Sequence, residues 1–289
     1  MTAPYLFCFG LGYTALALGR RLAAEGWAAG GTCRTPQRVE ALREAGFPAQ
    51  TFDRDHPLSR EVIDGVTQLL LSVPPDATGD PVLATHGDDI AVMSGLSWVG
   101  YLSTTGVYGD RGGAWVDETA PLLPTGERGQ RRVAAERGWL DLWRSRSMPI
   151  HIFRLAGIYG PGRSAFEALR TGRAKRIDKP GQVFSRIHVE DLAEVLIASI
   201  QRPRPGAIYN ICDDDPSPPE AVVAHAAALL GMPPPPLVPL DSAGLSPMAR
   251  SFYGDNKRVS NALIKTELGV TLRYPNFRAG LAAILADET

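Results

Sequence analysis

The sequence predicts an α/β fold built on a parallel, doubly wound sheet. Strand-like and helix-like patterns alternate through most of the chain, a rhythm that gives parallel strands joined by helical crossovers. The first strand pattern stops at a glycine turn, and a helical pattern starts directly after it. Further glycines and polar residues follow the other strand patterns, at the carboxyl ends where sheets of this kind hold ligands.

Strands are expected at residues 5–9, 28–34, 49–52, 68–72, 97–103, 149–155 and 207–211, with helices between them at 14–25, 36–45, 81–94, 129–146 and 189–201. The first strand is the apolar run Tyr5-Leu-Phe-Cys-Phe9, closed by Gly10. Gly10-x-Gly12-x-x-Ala15 fits the dinucleotide fingerprint in its G-x-G-x-x-A form. Gly10 permits the tight turn, Gly12 lets backbone N–H groups approach a pyrophosphate, and Ala15 allows close helix–strand packing. Tyr13 and Thr14 open a helix whose N-terminus offers partial positive charge to the phosphates. The structural alternative is an ordinary βα turn.

The second strand ends at Arg34, where the fingerprint for NAD expects Asp or Glu. A guanidinium pairs with a 2′-phosphate that an acid would repel, so the residues favour NADP(H), with NAD(H) as the alternative. Arg38, one helical turn on, adds a second cation. Asp53, after the third strand, either faces the adenine or serves as a turn residue. Ser72-Val73-Pro74 either passes the cofactor ribose or simply breaks the chain direction.

The composition narrows the function classes. The chain has 289 residues, 44% hydrophobic and 21% charged, enough for a full core as one large domain or two unequal lobes. A net charge of -1 gives no global pull toward nucleic acid or anionic membrane. The three cysteines, Cys8, Cys33 and Cys212, are scattered without metal or disulfide spacing, as expected in a reducing cytoplasm. No signal peptide and no bilayer-length apolar run is expected.

Four stretches carry a family resemblance. Ser103-Thr104-Thr105-Gly-Val-Tyr108-Gly109 resembles the "SSxxVYG" segment of the extended short-chain dehydrogenases/reductases, the NAD-dependent epimerase/dehydratase family. Arg154-Leu-Ala-Gly-Ile-Tyr159-Gly-Pro-Gly162-Arg163 is similar to its "RxxxxYGPG" turn, and Arg186-Ile-His188-Val-Glu-Asp191-Leu-Ala to its "RxxHVxDxA" helix entry. Ala207-Ile-Tyr209-Asn210-Ile resembles the strand that follows. The glycine loop departs slightly, with Phe9 at the family's usual first glycine.

This resemblance implies a Rossmann-type core at 1–156 plus about 187–211. It also implies a smaller, mostly C-terminal substrate lobe at about 157–186 plus 212–275, then a C-terminal helix at 276–289. Thr104, four residues before Tyr108, matches the Ser or Thr that orients the reacting oxygen. Tyr159, Arg163 and Arg186 fall where the substrate lobe would bind a small molecule, either anionic or a nucleotide sugar. Dimerisation, common in the family, is the implied assembly.

The family's usual proton-handling pair, Tyr-x-x-x-Lys, is missing. Counting back from Ala135-Glu136, which matches a later "AE", puts Arg128 at the tyrosine position and Arg132 at the lysine position. No Tyr or Lys occurs between Tyr108 and Tyr159. Arginine stays charged and shuttles protons poorly at neutral pH, but it binds oxyanions, carboxylates and phosphates. Tyr108 is one candidate replacement acid. The one literal match, Tyr253-Gly-Asp-Asn-Lys257, lies too late in the chain to belong to the active-site helix. Two readings follow: an NADP(H)-dependent oxidoreductase or epimerase with a non-standard site, or an NADP(H)-sensing protein that has lost the chemistry and acts through a partner.

Overall fold

The fold, known from a computed structural model, is described for residues 4–288. A seven-stranded sheet forms its centre, from β1 (Tyr5–Phe9), β2 (Ala28–Cys33), β3 (Ala49–Thr51), β4 (Gln68–Leu71), β5 (Trp98–Thr104), β6 (Ile150–Leu155) and β7 (Ile208–Ile211). The strand order is β7-β6-β5-β4-β1-β2-β3. β1 pairs in parallel with β2 and β4, and β4 with β5. The order reverses beside β1, which makes the end of β1 the topological switch point. The sequence expectation of a Rossmann-type doubly wound sheet holds strand for strand.

The helices of the sheet are α1 (Tyr13–Ala23), α2 (Pro36–Glu44), α3 (Pro81–Ala91) and α4 (Glu127–Arg146). α1 and α4 each start a little earlier than the sequence pattern suggests. α2 and α3 open with proline at the first helical position, behind caps from Thr35 and Asp80. Phe7, Phe9, Leu69, Leu71, Val99, Tyr101, Ile150 and Ile152 alternate along four strands and fill one core with Val82, Ile90 and Trp139.

Glycine sets one close approach in the sheet. A Cβ on Gly31 would stand 1.9 Å from the Cys8 carbonyl oxygen, so only glycine lets β2 lie against β1 in this register.

Two compact units emerge. The first comprises residues 1–104, 127–154 and 192–209, and the second 105–126, 155–191 and 210–289. The second unit contains α5 (Ala165–Arg170), whose start is a capping box of Ser164 and Glu167. It also holds α7 (Pro219–Leu229), α8 (Pro247–Phe252), α9 (Ala262–Leu268) and α10 (Phe277–Ala286). α6 (Val189–Gln201) begins in this unit and runs into the first. Short parallel pairs join Gly157–Tyr159 to Arg186–His188 and Arg176–Asp178 to Leu237–Pro239. Phe166, Leu169, Ala226, Ala227, Phe277, Leu281 and Ile284 make its core.

Candidate functional site

In the first unit the carboxyl ends of β1, β2, β4 and β5 carry Gly10, Arg34, Ser72 and Thr104 on one edge of the sheet. Gly10 has φ +95°, the left-handed turn for which glycine was expected. Gly12 is the N-cap of α1 and makes no side-chain cap. A Cβ placed on Gly12 would meet nothing within 4 Å. The first turn of α1 holds no acid. Tyr13 is half-buried there, whereas Thr14 and Ala15 are buried, Ala15 closing the helix onto the sheet. The result is an open, uncapped helix N-terminus suited to an anion.

Arg34 and Arg38 are exposed, and among the described residues neither guanidinium has an ion-pair partner. Asp53 is also exposed, and its Oδ1 accepts from the Asp55 and His56 backbone N–H groups at 2.9 and 2.8 Å. His56 Nδ1 lies 2.9 Å from the same oxygen, and this bond lowers the Asp53 pKa. Asp53 thus closes its own turn. Ser72 donates to the Gly10 carbonyl at 2.6 Å, and Val73 packs beside Gly10. Pro74 follows, exposed.

Arg132, at the lysine position, is pinned within the first unit. Its Nη1 donates to the Leu102 carbonyl at 2.7 Å and to the Tyr101 hydroxyl at 3.2 Å. The guanidinium also sits 5.6 Å from the Tyr101 ring centroid. Tyr101 is fully buried, and burial raises its pKa. Arg128, by contrast, is exposed in the first turn of α4.

Sequence reasoning missed the buried ion pair behind this edge. Arg154 Nη2 lies 2.9 Å from Glu136 Oε2, with Glu136 1% and Arg154 3% exposed. Ser103 donates to the other carboxylate oxygen. Both charged residues stood in the family-like segments, Glu136 as an alignment landmark and Arg154 as the head of a motif.

The second unit holds the remaining candidates. Tyr108 is fully buried and donates to Asn210 Oδ1 at 2.7 Å. Tyr159 is 8% exposed, packs edge-on to His188, and reaches the Asn276 carbonyl at 3.4 Å. Arg163 is exposed in a turn closed by backbone bonds with Gly160. Arg186 Nη1 donates to the Phe184 and Ser217 carbonyls at 2.8 and 3.2 Å. Lys257 donates to the Gly109 carbonyl at 2.8 Å and pairs with Asp255, so it ties a loop together. Other cations of this unit are tied to neighbours: Arg170 pairs with Glu288, and Lys175 and Arg176 donate to the Ala243 and Pro235 carbonyls.

Asp213 is a second residue the sequence did not single out. It is buried, its Oδ2 has no hydrogen-bond partner among the described residues, and burial pushes its pKa up to about 8. The hydrogen bond from the Asp215 backbone N–H and the charge of Arg186 oppose that shift, and the charges of Asp215 and Asp214 add to it. A carboxyl protonated in the folded chain and ionised in the unfolded chain makes stability fall with rising pH. The fall starts above the ordinary value of 3.8 and stops once pH passes about 8. Asp213→Asn should remove that component, which is at most about 1.4 kcal/mol per pH unit. Urea melts of both proteins at pH 5 and pH 8 check it; parallel pH profiles would refute it.

Sheet order, glycine turn and strand-end residues together define a Rossmann-type α/β protein. The sequence profile of the NAD-dependent epimerase/dehydratase family matches residues 89–212. A solved structure of a conserved protein of unknown function from Silicibacter pomeroyi is 56% identical, with 99% of each chain covered and a TM-score of 0.92. Protein YeeZ of Escherichia coli (strain K12) is 28% identical over 285 residues, covering 92% of this chain and 95% of that protein. The UDP-glucuronic acid 4-epimerase of Bacillus cereus, solved with UDP-glucuronic acid and NAD, has the same fold. Its TM-score is 0.78 at 13% identity, over 99% of this chain and 100% of that one. The family profile runs from the end of α3 to the end of β7, and over this stretch the chain is similar to the NAD-dependent epimerase/dehydratase family.

Proposed function

We propose that this protein binds a nicotinamide dinucleotide, NADP(H) in preference to NAD(H), and acts as an oxidoreductase or epimerase without the Tyr-x-x-x-Lys pair. One observation carries the reading: the N-terminus of α1 opens at Gly12 with no side-chain cap, no acid in its first turn, and nothing within 4 Å of where a Gly12 Cβ would stand. The residues present fit the cofactor. The N-terminus of α1 suits the pyrophosphate, and the exposed guanidinium groups of Arg34 and Arg38, without an ion-pair partner among the described residues, suit a 2′-phosphate. That the B. cereus epimerase was solved with NAD on the same fold supports the reading by analogy.

When bound, the nicotinamide supplies a hydride donor or acceptor. The protein's own residues bind and orient. Thr104 aligns the reacting oxygen. Arg132, fixed by Tyr101 and Leu102, offers its charge to a ribose hydroxyl or a developing oxyanion but moves no proton. Arg128 adds positive charge at the start of the same helix. The proton therefore comes from water, from the substrate or from another side chain. Burial of the Tyr108 hydroxyl against Asn210 favours the first two sources. The substrate is a small molecule, anionic or a nucleotide sugar, with Tyr159, Arg163 and Arg186 as its contacts. The working form is a cytoplasmic homodimer.

The missing tyrosine and lysine support a second reading, a sensor of NADP(H) redox state that acts through a partner. Titration with NADPH and NADH, followed by turnover assays on sugar nucleotides and small carbonyl compounds, separates the two. Saturable NADPH binding with turnover supports the enzyme, and binding with a silent panel supports the sensor. Failure to bind either nucleotide would remove both.

A further inference from the structure

We propose that Thr32 and Ser72 are positioning residues for a nucleotide pyrophosphate, their hydroxyls clamping the peptide groups of Gly10 so that the phosphate loop is formed before any ligand arrives. The inference rests on the dinucleotide reading above. Thr32 lies near the end of β2 and is 1% exposed. Its Oγ1 accepts from the Gly10 N–H at 2.9 Å, and its carbonyl accepts from the Leu11 N–H at 2.6 Å. On the other side, Ser72 Oγ donates to the Gly10 carbonyl at 2.6 Å. The Gly12 N–H donates to that same carbonyl at 2.8 Å.

Glycines make both approaches possible. A Cβ on Gly10 would stand 2.6 Å from Ser72 Oγ, so a larger residue would drive the hydroxyl off. Gly31, just before Thr32, lets β2 close on β1 and brings the Thr32 hydroxyl to the turn. The peptides from Gly10 to Gly12 are therefore held by Thr32 of β2, by Ser72 just after β4, and by one another. A loop fixed in this way has little conformational entropy left to lose when an anion docks, which raises affinity without any new contact. Neither hydroxyl needs to touch the ligand.

The test has two readouts on the full chain. The first is amide hydrogen exchange by NMR in the ligand-free protein. Thr32→Val keeps the side-chain shape and removes the acceptor; exchange at Gly10 should rise about tenfold, while Thr32→Ser should keep wild-type protection. The second is nucleotide binding. Thr32→Val and Ser72→Ala should each weaken 2′-phospho-ADP-ribose about three- to tenfold and leave adenosine 2′-monophosphate, which lacks the pyrophosphate, unchanged. Thr32→Ser should bind both as wild type does. A purely structural role for Thr32 would weaken both nucleotides equally, and that outcome overturns the proposal. So does an unchanged Gly10 exchange rate, or equal binding of 2′-phospho-ADP-ribose by Thr32→Val and wild type while the wild-type protein binds it well. A wild-type protein that binds neither nucleotide sinks the dinucleotide reading and this proposal with it.

Discussion

Replacing Glu136 by alanine is expected to lower the folding stability by about 3–5 kcal/mol. The change strands the Arg154 guanidinium, 3% exposed, without the carboxylate 2.9 Å away, and it takes the acceptor from Ser103. A buried ion pair is worth less than its removal by halves suggests. Desolvation of two charges offsets most of their attraction, whereas one unmatched buried charge carries the full cost. The double variant Glu136→Leu/Arg154→Met should therefore be more stable than Glu136→Ala alone. Urea denaturation of the three proteins, compared at equal m-values, checks both statements. A loss under 1 kcal/mol for Glu136→Ala would mean that the pair is not closed off from water. A double variant weaker than the single would mean that the charges contribute net stability.

Replacing Arg34 by alanine is expected to weaken NADPH about ten- to 150-fold and NADH by less than threefold. The first range corresponds to about 1.5–3 kcal/mol for hydrogen bonds to a charged group. Arg34 is exposed and has no competing acid among the described residues, so its charge is free for a ligand phosphate. On the proposed reading Arg38 shares the duty, and the Arg34→Ala/Arg38→Ala pair should erase the remaining preference. Fluorescence titration of each variant with both nucleotides gives the numbers. Equal losses for NADPH and NADH would assign Arg34 to packing or general attraction and remove the argument for NADP(H).

The sheet was legible because β1, β4, β5 and β6 are short, mostly apolar runs punctuated by glycine, proline or charge, and no tertiary contact is needed to see that pattern. Gly10, Gly12 and Ala15 were legible for the same reason: each requirement is local to the turn. Glu136 and Arg154 were not. On a helix rich in charge, Glu136 reads as one more solvated residue, and only the fold brings it to β6. Thr32 hid in a strand among Gly30, Gly31 and Cys33, where a threonine looks like ordinary strand filler. Asp213 stood in a run of three acids that suggests a solvated turn, and its burial depends on how β7 ends. Helix starts slipped by a residue or two because the turn preceding them decides the boundary.

The two units are woven from alternating pieces of chain, and this fixes an order of events at the ribosome. The sheet's outer strand β7 comes from residues 208–211, and the second unit closes only with its final segment, 210–289. Translation at about 5–20 residues per second therefore leaves β6 with one unpaired edge for several seconds before its neighbour emerges. Such an edge invites mispairing with other nascent chains. Stop codons placed between β6 and β7 should yield insoluble fragments, and isolating residues 1–156 as an autonomous cofactor-binding module should fail for the same reason.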